Sequence, residues 1–306
     1  MRWDDAVEGY WLTRRRSLSE ATVLDYALTF RRFGAWIENG ELKKVKAAQV
    51  NAFLEHLEED LDLAPKTVLN AWIALSSFWT WAQTELKITH VMRQVARPKA
   101  RPRPMQAFTE DEVRRLLAAA TTMNSYDRRN DRHVPGQRPS SARNAAIVLL
   151  LVDAGLRASE LCELQFRDYD RKSGRLMVEH GKGDKQRVVY LGQSAQRALW
   201  RYMTVRPDVA PMAPIIASSR GGPMDRSGLR KLINRFGKTA GVIGATPHRF
   251  RHTFAINFLR NGGNMAALQD LLGHASMEMV RRYAHLAEVD LAQAQKTSSP
   301  ADRWRL

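Results

Sequence analysis

The sequence predicts a mainly α protein with one small antiparallel β-sheet, a helical domain followed by a mixed α+β one. Apolar residues recur at helical spacing through most of the 306 residues. Two β-like runs flank one glycine-rich turn in the second half. A run of alternating prolines and cations, Arg97-Pro98-Lys99-Ala100-Arg101-Pro102-Arg103-Pro104, breaks the helical pattern and divides the chain. This length suits two domains. The expected division is residues 1–95, a basic linker over 96–105, and residues 106–306.

Helical pattern starts almost at Met1. Ser17 or Ser19 can cap the next helix, with Glu20 placed for a capping box from Ser17. Val23, Tyr26, Ala27, Phe30, Phe33 and Ile37 form its apolar stripe, and Gly40 ends it. Val50, Phe53, Leu54 and Leu57 mark a third helix. Pro65 opens a fourth, along Leu69, Trp72, Ile73, Leu75, Phe78, Trp79 and Ala82. The tryptophans at 72, 79 and 81 suit base stacking or a core. Trp72 and Trp79 lie on the apolar stripe, which favours the core. The clusters Arg14-Arg15-Arg16, Arg31-Arg32 and Lys43-Lys44-Lys46 suit either a phosphate-facing side or a solvated face. In the linker, Arg97, Lys99, Arg101 and Arg103 stand without an acid. A spacer needs no such charge density, so these four are expected along a DNA backbone.

The second domain opens at a capping box, Thr109 with Glu112. Thr121 to Ser141 is polar, arginine-rich and broken by Pro135, Gly136 and Pro139, and reads as a mobile loop. Arg143 to Val152 is an apolar helix ending at Gly155, and a further helix begins over Leu156 to Leu161. Arg175–Glu179 and Gln186–Leu191 flank His180-Gly181-Lys182-Gly183-Asp184-Lys185 and predict a hairpin. Its Lys185 and Arg187 are expected to face DNA. Pro214–Ala217, with Arg220–Pro223, reads as a last short strand and turn. Helices follow over Ser227–Thr239, Thr246–Asn261, Asn264–Leu272 and Ser276 to about Gln295.

Charge is distributed unevenly. Residues 1–95 hold 12 Lys/Arg against 13 Asp/Glu, whereas residues 96–306 hold 36 against 19. The formal net charge of +16 therefore sits in the second part and points to a polyanion. One cysteine, Cys162, excludes an intrachain disulfide and a cysteine-based zinc site. The longest apolar run, Ala145 to Val152, is too short to span a bilayer, and the acidic start Met1-Arg2-Trp3-Asp4-Asp5 has no signal-peptide core. The expectation is a cytoplasmic, nucleoid-associated protein without a membrane partner.

The chemistry-bearing residues are scattered. Thr246-Pro247 opens a helix that carries His248 and Arg251 on one face near its N-terminus, where anions are favoured. Arg157 follows Gly155, Lys182 sits at a hairpin tip, His274 follows a helix-ending Gly273, and Tyr283 lies at helical spacing from Val280 and Ala287. Each alone suits an ordinary surface or packing role. Together they form an ordered set: Gly-Leu-Arg-x-Ser-Glu-Leu at 155–161, Gly-Lys-Gly-x-Lys at 181–185, Pro-His-x-x-Arg-His at 247–252, Leu-Leu-Gly-His at 271–274, and Tyr283 nine residues on. This set resembles the tyrosine recombinase (phage integrase) family, and the Xer-type recombinases most. The likeness extends over residues 106–290, and more weakly over residues 1–95, whose helices resemble the family's SAM-like core-binding domain.

The resemblance implies roles. Tyr283 would attack a DNA phosphodiester, leaving a 3′-phosphotyrosine and a free 5′-hydroxyl. Arg157 and Arg251 would hold the non-bridging oxygens. His248 would accept or relay the tyrosine proton, His274 would donate to a phosphate oxygen, and Lys182 would protonate the leaving oxygen. Neither a metal nor another cofactor is implied. Four protomers would close as clamps on two sites in duplex DNA, with Trp304 and Leu306 docking on a neighbour. A directionality or DNA-bending accessory protein would fit this scheme. With helical pattern from almost Met1, no extra N-terminal arm-binding domain is expected, and a simple integrase or transposon recombinase is expected over one needing distant arm sites. Alternatives are a non-cleaving DNA-binding regulator on this fold and a relaxing enzyme of the type IB topoisomerase kind.

Overall fold

The computed structural model describes residues 1–100, 106–127, 132–137, 140–179, 186–206, 210–273, 277–287, 299 and 301, with side chains omitted over 123–137. The chain divides into two compact units, residues 1–104 and 105–306. Among the described residues no helix is long and apolar enough to cross a membrane.

The first unit is built from α1 (Trp3–Arg14), α2 (Glu20–Trp36), α3 (Ala47–Glu59) and α4 (Pro65–Glu85). Ser19 is the N-cap of α2, its hydroxyl accepting from the Thr22 amide at 3.2 Å. Ser17 lies in a short 3-10 turn before it. The core is aromatic: Trp3, Tyr10, Phe30, Phe33, Phe53, Phe78 and Trp79 are all at most 1% exposed. Trp3 is the hub, its ring centroid 4.4 Å from Phe78 and 4.9 Å from Phe33. Its indole nitrogen donates to the Phe30 carbonyl at 3.0 Å, which satisfies its polar atom inside the core. Helix α2 approaches this ring closely at Gly34, where a Cβ would stand 2.7 Å from Trp3 Cδ1. Trp79 and Trp81 belong to this core, not to a base-stacking surface, while Trp72 is half-buried with the Arg97 guanidinium 5.7 Å above its ring.

The second unit contains α5 (Glu110–Thr121), β1 (Thr122–Asp127), β2 (Arg132–Gln137), α6 (Ser141–Ala154) and α7 (Ala158–Glu163). These are followed by β3 (Tyr169–Asp170), β4 (Arg175–Val178), β5 (Arg187–Tyr190) and α8 (Gln193–Thr204). The chain continues through α9 (Arg226–Ala240), α10 (Pro247–Arg260), α11 (Met265–Leu272) and α12 (Met277–Ala287). Helix α6 is apolar nearly all round and lies at the centre, packed by α5, α8 and α10. On the far side of α10, the helices α11 and α12 enclose a second apolar cluster containing Tyr283.

The sheet runs β3-β4-β5 with antiparallel pairing, Leu176 opposite Val189 and Val178 opposite Arg187. Leu176, Val178 and Val189 point into the core. Two expectations are corrected here. The stretch read as a mobile loop forms the antiparallel pair β1–β2, with Thr122 opposite Gln137 and Asp127 opposite Arg132. The strand expected at 214–217 is reduced to isolated bridges, Gln165 with Pro214 and Ala217 with Pro223, and the third strand of the sheet is β3.

Candidate active site

Helix α6 ends at Gly155, whose φ of +59° is the left-handed conformation that closes helices. A Cβ there would lie 2.3 Å from Phe254 Cδ1. This turn delivers Arg157 as the N-cap of α7. Three residues on, Glu160 is fully buried and accepts from the Arg157 amide and guanidinium, both at 2.7 Å. Helix α10 is started by the N-cap Thr246, which accepts from the Arg249 amide at 3.2 Å, with Pro247 in its first turn. From α10, Arg251 points inward at 3% exposure and donates to the Gly155 carbonyl at 2.9 Å. Its Nη1 lies 3.9 Å from Glu160 Oε2. The structure therefore brings together Arg157 and Arg251, 94 residues apart in sequence.

A third guanidinium completes the cluster. Arg187, expected to face DNA, has a side chain only 7% exposed and makes a bidentate pair with Glu160, both bonds 2.7 Å. This corrects the expectation: its position on β5 directs it toward the buried carboxylate. The C-terminus of α11 is the other anchor. The carbonyl of Leu271 accepts from Arg187 Nε at 2.7 Å, Leu272 from Arg251 Nη2 at 2.6 Å, and Gly273 from Arg157 Nη2 at 3.3 Å. Carbonyls at a helix C-terminus lack internal partners and carry partial negative charge, so cations suit them.

Electrostatics follow from this crowding. Burial alone would push the Glu160 carboxyl up, but the Arg187 and Arg157 bonds and charges hold it down at about 2. Burial, then the neighbouring Arg157, lowers the Arg251 guanidinium to about 10. The cluster carries three cations and one anion, and its surplus charge favours a bound dianion or a developing oxyanion.

Tyr283, on α12, is 1% exposed within the apolar cluster of Ala255, Ile256, Leu268, Leu272 and Val280. Its hydroxyl is hydrogen-bonded with His252 Nδ1 at 2.9 Å. Burial raises the phenol above its ordinary value, against the lowering influence of Arg251 and then Arg157. His248 packs edge-to-face on His252, ring centroids 4.1 Å apart, and no hydrogen bond between the described residues joins it to Tyr283. His248 is exposed at its edge; local desolvation and then Arg251 and Arg157 hold it below the usual imidazole value.

Arg249, at a variable position of the His-x-x-Arg pattern, has a different task. It donates to the Gln106 and Ala107 carbonyls and to Glu112, and stacks 4.0 Å from the Phe108 ring centroid, tying the start of the unit to α10.

Arg97 and Lys99 are exposed, whereas Arg101, Arg103, Lys182, Lys185, His274, Trp304 and Leu306 lie outside the described residues. Sequence reasoning missed Glu160 and His252 as parts of the site, although both stand inside the motifs that it singled out. Glu160 carried a signal as the acid three residues after Arg157, the spacing of a capping box.

The model of the phage integrase family matches residues 106–289, and that of the phage integrase N-terminal SAM-like domain matches residues 11–87. A tyrosine recombinase XerD of Mycobacterium tuberculosis is 32% identical over 295 residues, covering 90% of this chain and 91% of the relative. A tyrosine recombinase XerC of Lactobacillus delbrueckii subsp. bulgaricus is 28% identical over 290 residues, covering 90% and 92%. In fold, the chain resembles the Tn1549 transposon integrase in complex with circular intermediate DNA, with a TM-score of 0.75, 20% identity, and coverage of 97% and 99%.

Proposed function

The chain belongs to the phage integrase family and is a tyrosine recombinase, and from that premise we propose that it cuts and rejoins duplex DNA at specific sites through Tyr283. The observation that carries the reading is the convergence of Arg157 and Arg251 on one carboxylate, with the hydrogen-bonded Tyr283 hydroxyl beneath their charge.

A phosphodiester at this site accepts from N–H groups of Arg157 and Arg251 other than those held by Glu160 and by the Gly155 and Leu272 carbonyls. Planar guanidinium groups match its non-bridging oxygens and stabilise the charge that grows there. The Tyr283 oxygen forms a bond to phosphorus while the bond to the deoxyribose 5′-oxygen breaks. The phenolic proton leaves along the existing hydrogen bond to His252 Nδ1, with that imidazole initially neutral and protonated at Nε2. His252 thus takes the acceptor part that the sequence suggests for His248. His248 stands nearer the phosphate, as a neutral hydrogen-bond partner. Lys182 gives its proton to the 5′-oxygen, and His274 donates to a phosphate oxygen. The reverse step, with a 5′-hydroxyl from another strand, rejoins DNA without loss of bond energy. The second unit's cationic surplus, with Arg97 and Lys99, supports binding along duplex DNA. Action on two sites calls for four protomers, an assembly in which the tail at 304–306 docks on a neighbour.

A suicide substrate nicked beside the cleavage position tests this. The wild-type chain forms a covalent protein–DNA adduct, and Tyr283→Phe forms none. Recombination between two copies of the element's own end sequences is the further expectation. Relaxation of supercoils with no exchange between sites would favour a type IB topoisomerase-like activity. Binding without an adduct would favour a regulator.

A further inference from the structure

The contacts of the Glu160 carboxylate account for every acceptor direction that it has. An ionised carboxylate offers about four lone-pair sites. Oε1 takes Arg157 Nη1 and Arg187 Nη1; Oε2 takes the Arg157 amide and Arg187 Nη2; all four bonds are 2.7 Å. Arg251 is left outside this shell. Its Nη1 stands 3.9 Å from Oε2 and donates instead to the Gly155 carbonyl, with Nη2 on the Leu272 carbonyl. Two of the four acceptor directions are filled by Arg187 alone. The same side chain reaches the Leu271 carbonyl through Nε, so three of its N–H groups are spent inside the protein.

We propose that Arg187 is a positioning residue for strand cleavage: it saturates the Glu160 carboxylate, so that Arg251 is not drawn into that ion pair and stays aimed at the scissile phosphate. Without it, two acceptor directions on a buried anion stand open, and after Arg157, which already holds the other two, Arg251 is the next cation at 3.9 Å. Arg251 would close on Glu160, leave the Gly155 and Leu272 carbonyls, and misalign the phosphate site. Arg187 also ties β5 to the end of α11. The proposal rests on the cleavage reading above. It opposes the reading of Arg187 as a DNA contact.

Arg187→Gln and Arg187→Lys separate the two. Lysine keeps the charge but has no planar fork, so it fills the two directions poorly. At saturating nicked DNA, single-turnover adduct formation is expected to slow by about a hundredfold in Arg187→Gln, the penalty of a misplaced reacting group. Arg187→Lys recovers only part of that loss. The slope of log affinity against log salt is unchanged in both, whereas loss of a phosphate contact would lower it by about one. The rate–pH profile provides a third readout. Glu160 is faced by Arg157 at its own helix start, Arg187 from β5, Arg251 from α10 and, beyond Arg251, His248; α11 contributes carbonyls only. Removing the Arg187 charge raises the Glu160 carboxyl. Arg187→Gln therefore loses cleavage on the acid side at a higher pH than wild type does. Wild-type rates in either variant, or a slope reduced by one, would overturn the proposal. If Arg187→Gln fails to fold, Arg187→Lys gives the same comparison. Absence of an adduct in the wild type would count against the cleavage reading itself, and the salt slope would still decide whether Arg187 touches DNA.

Discussion

At the scale of single residues, the site is governed by one buried charge. Glu160→Gln leaves three guanidinium groups around a neutral amide, and loss of one partner from a buried ion cluster costs about 3–5 kcal/mol. Urea unfolding at neutral pH measures it. The acid dependence has a definite sign. Glu160 is depressed from 4.5 to about 2 in the folded chain, so its contribution is complete above the unfolded value. That contribution fades as pH falls from there toward 2. Glu160→Gln lacks this part of the acid limb, which a stability series between pH 6 and pH 3 resolves. His252 is the second residue with a specific consequence. His252→Phe removes one hydrogen-bond partner of the Tyr283 hydroxyl in a similar volume. Adduct formation should fall about a hundredfold or more, the usual worth of a placed general base. The residual rate should climb toward alkaline pH, because burial already holds the phenol high. A His252→Phe rate equal to wild type across pH would rule out this proton path.

At the scale of elements, helices were legible because their signals are local. The capping box of Thr109 with Glu112 is formed, with the Thr109 amide on Glu112 Oε2 at 2.9 Å. Thr246 and Pro247 begin α10 as their chemistry dictates. Thr246→Val should cost about 1 kcal/mol in unfolding free energy, the worth of an N-cap. Gly155 depends on both backbone and packing. Its left-handed φ and the Phe254 ring beside it leave no room for a methyl group, and its carbonyl is a partner of Arg251. Gly155→Ala should therefore destabilise by more than about 1 kcal/mol and slow cleavage as well. Both effects are read on the same purified variant. The β elements were less legible. Strand β3 has two residues, too few for any alternation, and exists because β4 offers it an edge. The β1–β2 pair carries Pro135 and Gly136, breakers that mask a strand when it is read from composition. Arg187 was legible as a cation on β5, yet its direction was not. A strand alternates its faces, and which face is buried depends on what packs there.

At the scale of the whole molecule, charge and domain order are properties of the chain as written. The surplus of 36 cations over 19 acids beyond residue 95 predicts a steep salt dependence. DNA affinity should fall about a thousandfold or more between low and moderate salt if roughly 6–10 phosphates are contacted. A titration of binding against salt gives the slope, and a flat response would contradict a basic DNA-binding surface. The sequence by itself determined the mainly helical class, the small sheet and the helix starts and stops, and it singled out Arg157, Arg251 and Tyr283 as candidates, because periodicity, caps and motif spacing are written within a few dozen residues. Tertiary structure alone decided that Arg187 turns inward, that Glu160 gathers three arginines, and that His252 holds the tyrosine hydroxyl. Those choices set a buried charge against its desolvation, and the partners that settle it come from α7, β5, α10 and α11, which only folding brings within hydrogen-bonding distance.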